Sequence, residues 1–150
     1  MQYHLIRIHT RYDKACDKGG LSFFEGMKAI PFEIKRIYYI HGVAAGEMRG
    51  FHAHKTLQQM LFCPYGSVRI CLNNGYEEEF VTLDDPSVGL VLEPGLWRTM
   101  EWLVDNSVLC VAASEYYTES DYIRNYSDFL NYVKEKNEHG SEIYRTEALV

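Results

Sequence analysis

Between Ile30 and Glu115 the chain is a series of short apolar runs, each closed by residues that favour turns. This punctuation limits the possible folds more than any other feature of the sequence. Phe32 to Ile40 alternates so that Ile34, Arg36, Tyr38 and Ile40 share one face. A loop over Gly42 to Gly46 leads to a strand over Gly50 to His54. Gln58 to Cys63 and Ser67 to Leu72 flank a Pro64-Tyr65-Gly66 turn, and Asn73-Asn74-Gly75 supplies a tight hairpin before Tyr76 to Leu83 returns. Val88 to Leu92, Trp97 to Val104 and Ser107 to Ser114 complete the set. Strands this short at this spacing predict an all-β sandwich or barrel.

The pattern changes after Thr118. Thr118-Glu-Ser-Asp121 reads as a helix start with Thr118 or Ser120 as the cap. Tyr122, Ile123, Tyr126, Phe129, Leu130 and Val133 then form one apolar stripe at helical spacing. The period ends near residue 136, so residues 1–136 are expected to form one domain and residues 137–150 a flexible tail.

Composition removes several classes of function. A length of 150 residues is one ordinary domain, and 47% apolar against 24% charged residues is globular rather than disordered. A net charge of −6 argues against general electrostatic binding of nucleic acid. No apolar run reaches the roughly 20 residues of a membrane span, and the N-terminus lacks a signal-peptide profile. Cys16, Cys63, Cys71 and Cys110 form no CxxC pair and read as buried, reduced thiols. A soluble cytoplasmic protein is expected.

The segment that carries chemistry is Gly46-x5-His52-x-His54-x4-Gln59-x6-Gly66. Histidines at i and i+2 on a strand project from one face, so both imidazoles can enter one barrel interior as metal ligands or as acid and base. The spacing resembles the first cupin motif, with Gln59 where metal-binding cupins place glutamate. The second motif ordinarily adds a histidine after a Pro-x-Gly turn, but Gly89 to Met100 contains none. Gln59 is a weaker ligand and Arg98 brings positive charge, so no metal and no other cofactor is expected. His52 and His54 are left for proton transfer.

Four ordered blocks sharpen the resemblance: Ile30 to Ile40, Arg49-Gly-Phe-His-Ala-His-Lys55, Trp97-Arg98-x-Met100, and Asp121-Tyr-Ile-Arg-Asn-Tyr126. From about Asp17 to Val133 the chain is similar to the sugar 3,4-ketoisomerases, small cupin enzymes acting on dTDP-4-oxo-6-deoxyglucose. The resemblance implies a cupin jelly-roll barrel (a double-stranded β-helix) with a C-terminal helix. It also implies an isomerase supplying 3-amino-3,6-dideoxyhexoses for bacterial surface glycans such as O-antigen. A homodimer with exchanged N-terminal strands, Tyr3 to Thr10 here, is implied as well. His52 would be the base at carbon and His54 its partner at oxygen, or the reverse, with Tyr38 either a donor or a core aromatic. Trp97 would pack on the sugar or base ring or serve as a core tryptophan. Arg98 matches gluco-forming members, whereas Lys18 is closer in charge to galacto-forming ones.

Charge is segregated in support of this picture. Lys35 to Lys55 holds Lys35, Arg36, Arg49 and Lys55 against Glu47 alone, while Glu77 to Asp85 holds five acids and no base. Arg49 and Arg36 are therefore the expected contacts to a diphosphate. Two alternatives stay open: a cupin 3/5-epimerase, and a cupin that binds a nucleotide sugar without turning it over. The epimerase ranks lower because such enzymes pair the base histidine with a carboxylate, and none is evident in the sequence.

Overall fold

The computed structural model describes residues 1–13 and 17–147. Twelve strands run in chain order: β1 (Tyr3–Arg7), β2 (His9–Tyr12), β3 (Gly20–Phe23), β4 (Arg36–Ile40), β5 (Met48–His54), β6 (Gln59–Tyr65), β7 (Val68–Asn73), β8 (Glu78–Leu83), β9 (Val88–Leu92), β10 (Trp97–Trp102), β11 (Val108–Ala113) and β12 (Tyr122–Ile123). Helix α1 (Tyr126–Glu147) closes the chain. Two five-stranded antiparallel sheets, ordered β1-β9-β6-β11-β4 and β12-β5-β10-β7-β8, face each other, and β2 and β3 form a separate hairpin. This is the expected jelly-roll barrel of the cupin type. No described helix is long and apolar enough to cross a membrane.

Strand alternation explains the interior. Leu61 and Cys63 of β6, Ile70 and Leu72 of β7, Leu90 and Leu92 of β9, Met100 and Trp102 of β10, and Leu109 and Val111 of β11 fill the space between the sheets. The Trp102 indole N–H is satisfied by the Ser107 carbonyl at 2.8 Å. Continuing each inward row to one end of the barrel replaces these apolar side chains by Arg36 and Tyr38, Gln59, and Arg98. The register places these beside one another: Tyr38 pairs with Val111, Ala113 with Gln59, and Arg98 with His52. One end of the core is therefore polar.

The C-terminal region differs from the sequence expectation. Glu119 to Asp121 makes a single 3-10 turn with no side-chain cap from Thr118, and Tyr122–Ile123 pairs with His54 and Ala53 of β5. Helix α1 starts at Tyr126, where the Asn125 side chain accepts the Asp128 N–H at 3.1 Å, so Asn125 is its cap. The helix buries Phe129 with half-buried Tyr132 and Val133 against Ala53, Trp97 and Ile123, while Leu130 stays exposed. It continues to Glu147, past the boundary expected near residue 136. The hairpin β2–β3 was not anticipated, and β7–β8 is joined by a four-residue loop rather than a tight turn. Cys63 is buried, Cys71 and Cys110 are half-buried and all three are free; Cys16 lies outside the described residues. Burial pushes the Cys63 thiol up to about 11, consistent with an inert thiol.

Candidate active site

Strand β5 carries the site, and an irregularity in it decides what faces inward. Its pairing with β10 shifts between Arg98↔His52 and Thr99↔Gly50, leaving Phe51 as an extra residue. Gly50 and Phe51 both have positive φ, 95° and 55°. Arg49 pairs with Met100 and His52 with Arg98, both inward positions of β10. Arg49 and His52 are three residues apart and would face opposite sides of a regular strand. Because of the bulge they line the same cavity, about 330 Å³, together with Arg36, Tyr38, Tyr122 and Arg124.

His52 and His54 lie edge to face with ring centroids 4.9 Å apart, and Tyr122 touches both, at 5.2 Å and 4.4 Å. His54 is wholly buried and stands behind His52. Each Nδ1 is committed. That of His52 meets the Gly50 carbonyl at 3.1 Å, and that of His54 meets Asp121 Oδ2 at 3.0 Å. A carbonyl and a carboxylate only accept, so both Nδ1 atoms carry the proton and both Nε2 atoms carry the lone pair. Neither Nε2 has a partner among the described residues. Burial, reinforced by Arg98, lowers the His52 pKa to about 4. Burial, Arg98 and His52 likewise push His54 down, against the upward pull of Asp121. Both rings are neutral bases at neutral pH.

Asp121 corrects the expectation that no carboxylate accompanies the histidines. Its Oδ1 accepts the Thr56 backbone N–H at 2.8 Å and the Thr56 hydroxyl at 2.7 Å. Burial opposes its charge, but the bonds from Thr56 and His54 outweigh that and hold it below the usual carboxylate range. In the sequence Asp121 stands only as the last residue of a helix start capped by Thr118 or Ser120.

The floor of the site is a chain of buried polar groups. Arg98, 1% exposed, donates to the Gln59 side-chain oxygen and, at 2.8 Å, to the Leu96 carbonyl. Gln59 Nε2 in turn donates to the Tyr38 hydroxyl at 2.9 Å, which leaves the tyrosine proton free for another acceptor. Burial raises the Tyr38 pKa, so the phenol is a neutral donor, and burial lowers Arg98 only to about 10, so it keeps its charge. Two imidazoles, an engaged amide and a guanidinium do not make a cation site. Among the described residues no three His, Cys, Asp or Glu side chains gather to hold a metal.

Arg36 stacks over Tyr38 at 5.3 Å and lines the cavity with Arg49, as the charge pattern suggests. Arg124, unnoticed in the sequence, adds a third guanidinium. It stacks over Tyr122 at 4.1 Å and is bonded twice to Glu119, at 2.5 Å and 3.0 Å. Of the expected residues outside the cavity lining, His54, Gln59 and Arg98 are buried against His52 and Tyr38, and two others are placed elsewhere. Trp97 sits one position from Arg98 and so faces the other way, packing on Tyr126 and Phe129 beneath α1 as a core tryptophan. Lys18 lines a separate surface depression beside Arg11, Tyr12 and Leu21 of the β2–β3 hairpin.

The chain is similar to known proteins. The chain matches the family model FdtA (WxcM-like, C-terminal) over residues 1–134. The TDP-4-oxo-6-deoxy-alpha-D-glucose-3,4-oxoisomerase of Aneurinibacillus thermoaerophilus is 46% identical over 120 residues, 80% of this chain and 86% of the relative. The crystal structure of QdtA, a sugar 3,4-ketoisomerase from Thermoanaerobacterium thermosaccharolyticum in complex with TDP, is 46% identical with a TM-score of 0.84, covering 89% of this chain and 96% of that one. A histidine-to-asparagine variant of QdtA in complex with TDP-4-keto-6-deoxyglucose is 45% identical with the same TM-score, covering 89% and 94%. The matched residues 1–134 include β5 with both histidines and the Asp121 block, and the chain belongs to the FdtA family of cupin-fold sugar-nucleotide 3,4-ketoisomerases.

Proposed function

We propose that the protein converts dTDP-4-oxo-6-deoxy-D-glucose into a dTDP-3-oxo-6-deoxyhexose, with His52 as the carbon base. The observation that carries this reading is a neutral His52 imidazole lining the cavity, its Nδ1–H tied to Gly50 and its Nε2 uncommitted. The C4 carbonyl acidifies the C3 proton. His52 Nε2 takes that proton, the C3–H electron pair forms the C3=C4 bond, and the carbonyl π pair moves to O4. The charge of Arg98 and the free proton of Tyr38 favour the resulting enediolate. A proton passes from O3 to O4, a transfer assigned to the His54–Asp121 pair, and C4 is reprotonated as O3 becomes the carbonyl. Atoms and charge balance without an added reactant.

Arg49 and Arg36 hold the diphosphate, joined by Arg124 at the same cavity. The product is assigned the gluco configuration, the one Arg98 supports, and its 3-ketone suits a following aminotransferase. Two copies assemble. Within the described chain β1 pairs with its own β9, whereas the β2–β3 hairpin stands apart with Tyr12 and Leu21 more than 60% exposed. An isolated hairpin is marginal in water, which favours its being covered by a second copy.

A second reading, a 3/5-epimerase on the same sugar nucleotide, gains from the His54–Asp121 pair. NMR of the reaction in D2O separates the two. The isomerase moves the ketone to C3 and deuterates C4, whereas an epimerase deuterates C3 or C5 and leaves the ketone at C4. Absence of label at C3 and C4 overturns the proposal.

A further inference from the structure

The irregular turn of β5 has a chemical consequence. Phe51 holds φ 55°, a conformation that a bulky aromatic adopts only where its surroundings impose it. Its side chain is half exposed, so core packing does not explain the strain. Gly50, at φ 95°, has no room for a side chain: a Cβ there would stand 2.9 Å from the Arg98 carbonyl oxygen. Two features of the site depend on this pair of residues. The register shift turns Arg49 and His52 into one cavity, and the Gly50 carbonyl accepts His52 Nδ1–H.

We propose that the Gly50–Phe51 bulge is a positioning element for the reaction, acting through its backbone. The Gly50 carbonyl does for His52 what the Asp121 carboxylate does for His54: it fixes the proton on Nδ1 and leaves the lone pair on Nε2. The extra residue sets the distance between base and diphosphate contact by placing Arg49 on the inward side. In this account Phe51 matters for the conformation it accepts and not for what its ring touches. The inference deepens the isomerase reading and rests on it for the identity of the base.

A substitution series at Phe51 tests the claim, because candidate residues differ in their tolerance of positive φ. Phe51→Gly and Phe51→Asn permit it and delete the ring, while Phe51→Val keeps an apolar side chain whose β-branching opposes it. The measurements are steady-state isomerisation and long-range 1H–15N NMR of the His52 ring in the unliganded protein. The expected result is kcat within about threefold of the parent for Gly and Asn. For Val, kcat should fall about tenfold or more, with His52 no longer confined to the Nδ1–H form. Loss of activity in Gly and Asn equal to that in Val assigns the role to the ring and overturns the proposal. So does a Val variant that keeps both its activity and its tautomer. A parent protein that forms no 3-ketone refutes the isomerase reading alone, since the NMR series still reports whether the bulge sets the tautomer.

Discussion

Asp121→Asn exchanges one oxygen for an amide nitrogen at the centre of the second proton-carrying pair. Two bonds from Thr56 hold Oδ1, at 2.8 Å and 2.7 Å, and both come from donors. The carboxamide oxygen therefore stays on Thr56 and the NH2 turns to His54. An N–H cannot face an N–H, so His54 must move its proton to Nε2 and accept at Nδ1. The lone pair at Nε2, which the O3-to-O4 transfer requires, is lost. A charge-assisted bond worth about 1.5–3 kcal/mol is replaced by a neutral one, so the net stability loss is about 1–2 kcal/mol. For a domain of this length that lowers Tm by roughly 2–8 °C. The catalytic loss is far larger: kcat falls by roughly 10²–10⁴, the range for a misplaced general acid–base. Steady-state turnover followed by NMR, with a thermal melt on the same sample, reads both effects. A variant that retains kcat within about threefold, or whose His54 still carries its proton on Nδ1, refutes the assignment.

Three further outcomes follow from the same geometry. His52 is held neutral with its pKa lowered to about 4, so the stability it contributes is complete above its unfolded value near 6.5 and is lost as pH falls toward 4. Urea denaturation at pH 8 and pH 4.5 should differ by about 3 kcal/mol from this group, and His52→Leu should flatten that slope. Arg124→Ala removes one of three guanidiniums at the cavity and should raise KM about tenfold with a smaller change in kcat; an unchanged KM takes Arg124 out of the binding site. Gly66→Ala would put a Cβ 2.0 Å from Ser107 Oγ at φ 86°, far from the cavity-lining residues. It should cost about 2–4 kcal/mol in denaturant titration, and a cost under about 1 kcal/mol contradicts the close approach.

How much of this was legible in the sequence depends on the range of each interaction. Period-2 alternation placed Arg36 and Tyr38 on an inward face and put His52 beside His54, because those relations lie within one strand. Applied to Arg49 and His52, the same rule puts them on opposite faces; their shared cavity depends on a bulge that no turn residue announces except Gly50. Trp97 and Arg98, neighbours in one motif, face opposite sides, so a motif that names both cannot put both in one cavity. Asp121 was misread because its partner His54 is 67 residues away, while a capping pattern offered a local explanation. Tyr122 and Ile123 fitted a helical stripe, but pairing with β5 overrode it and moved the helix start to Tyr126. Gln59 was located as a former ligand position, but its bond to Arg98 across 39 residues carries no sequence signal.

The account turns on two neutral imidazoles, each holding its proton on Nδ1 and presenting a bare Nε2. Long-range 1H–15N NMR of histidine-labelled protein at neutral pH reads protonation at each ring nitrogen directly. The account predicts that His52 and His54 both show a protonated Nδ1 and an unprotonated Nε2, with His52 remaining so down to about pH 5. An imidazolium at either position at neutral pH, or a His52 ring with its proton on Nε2, contradicts it.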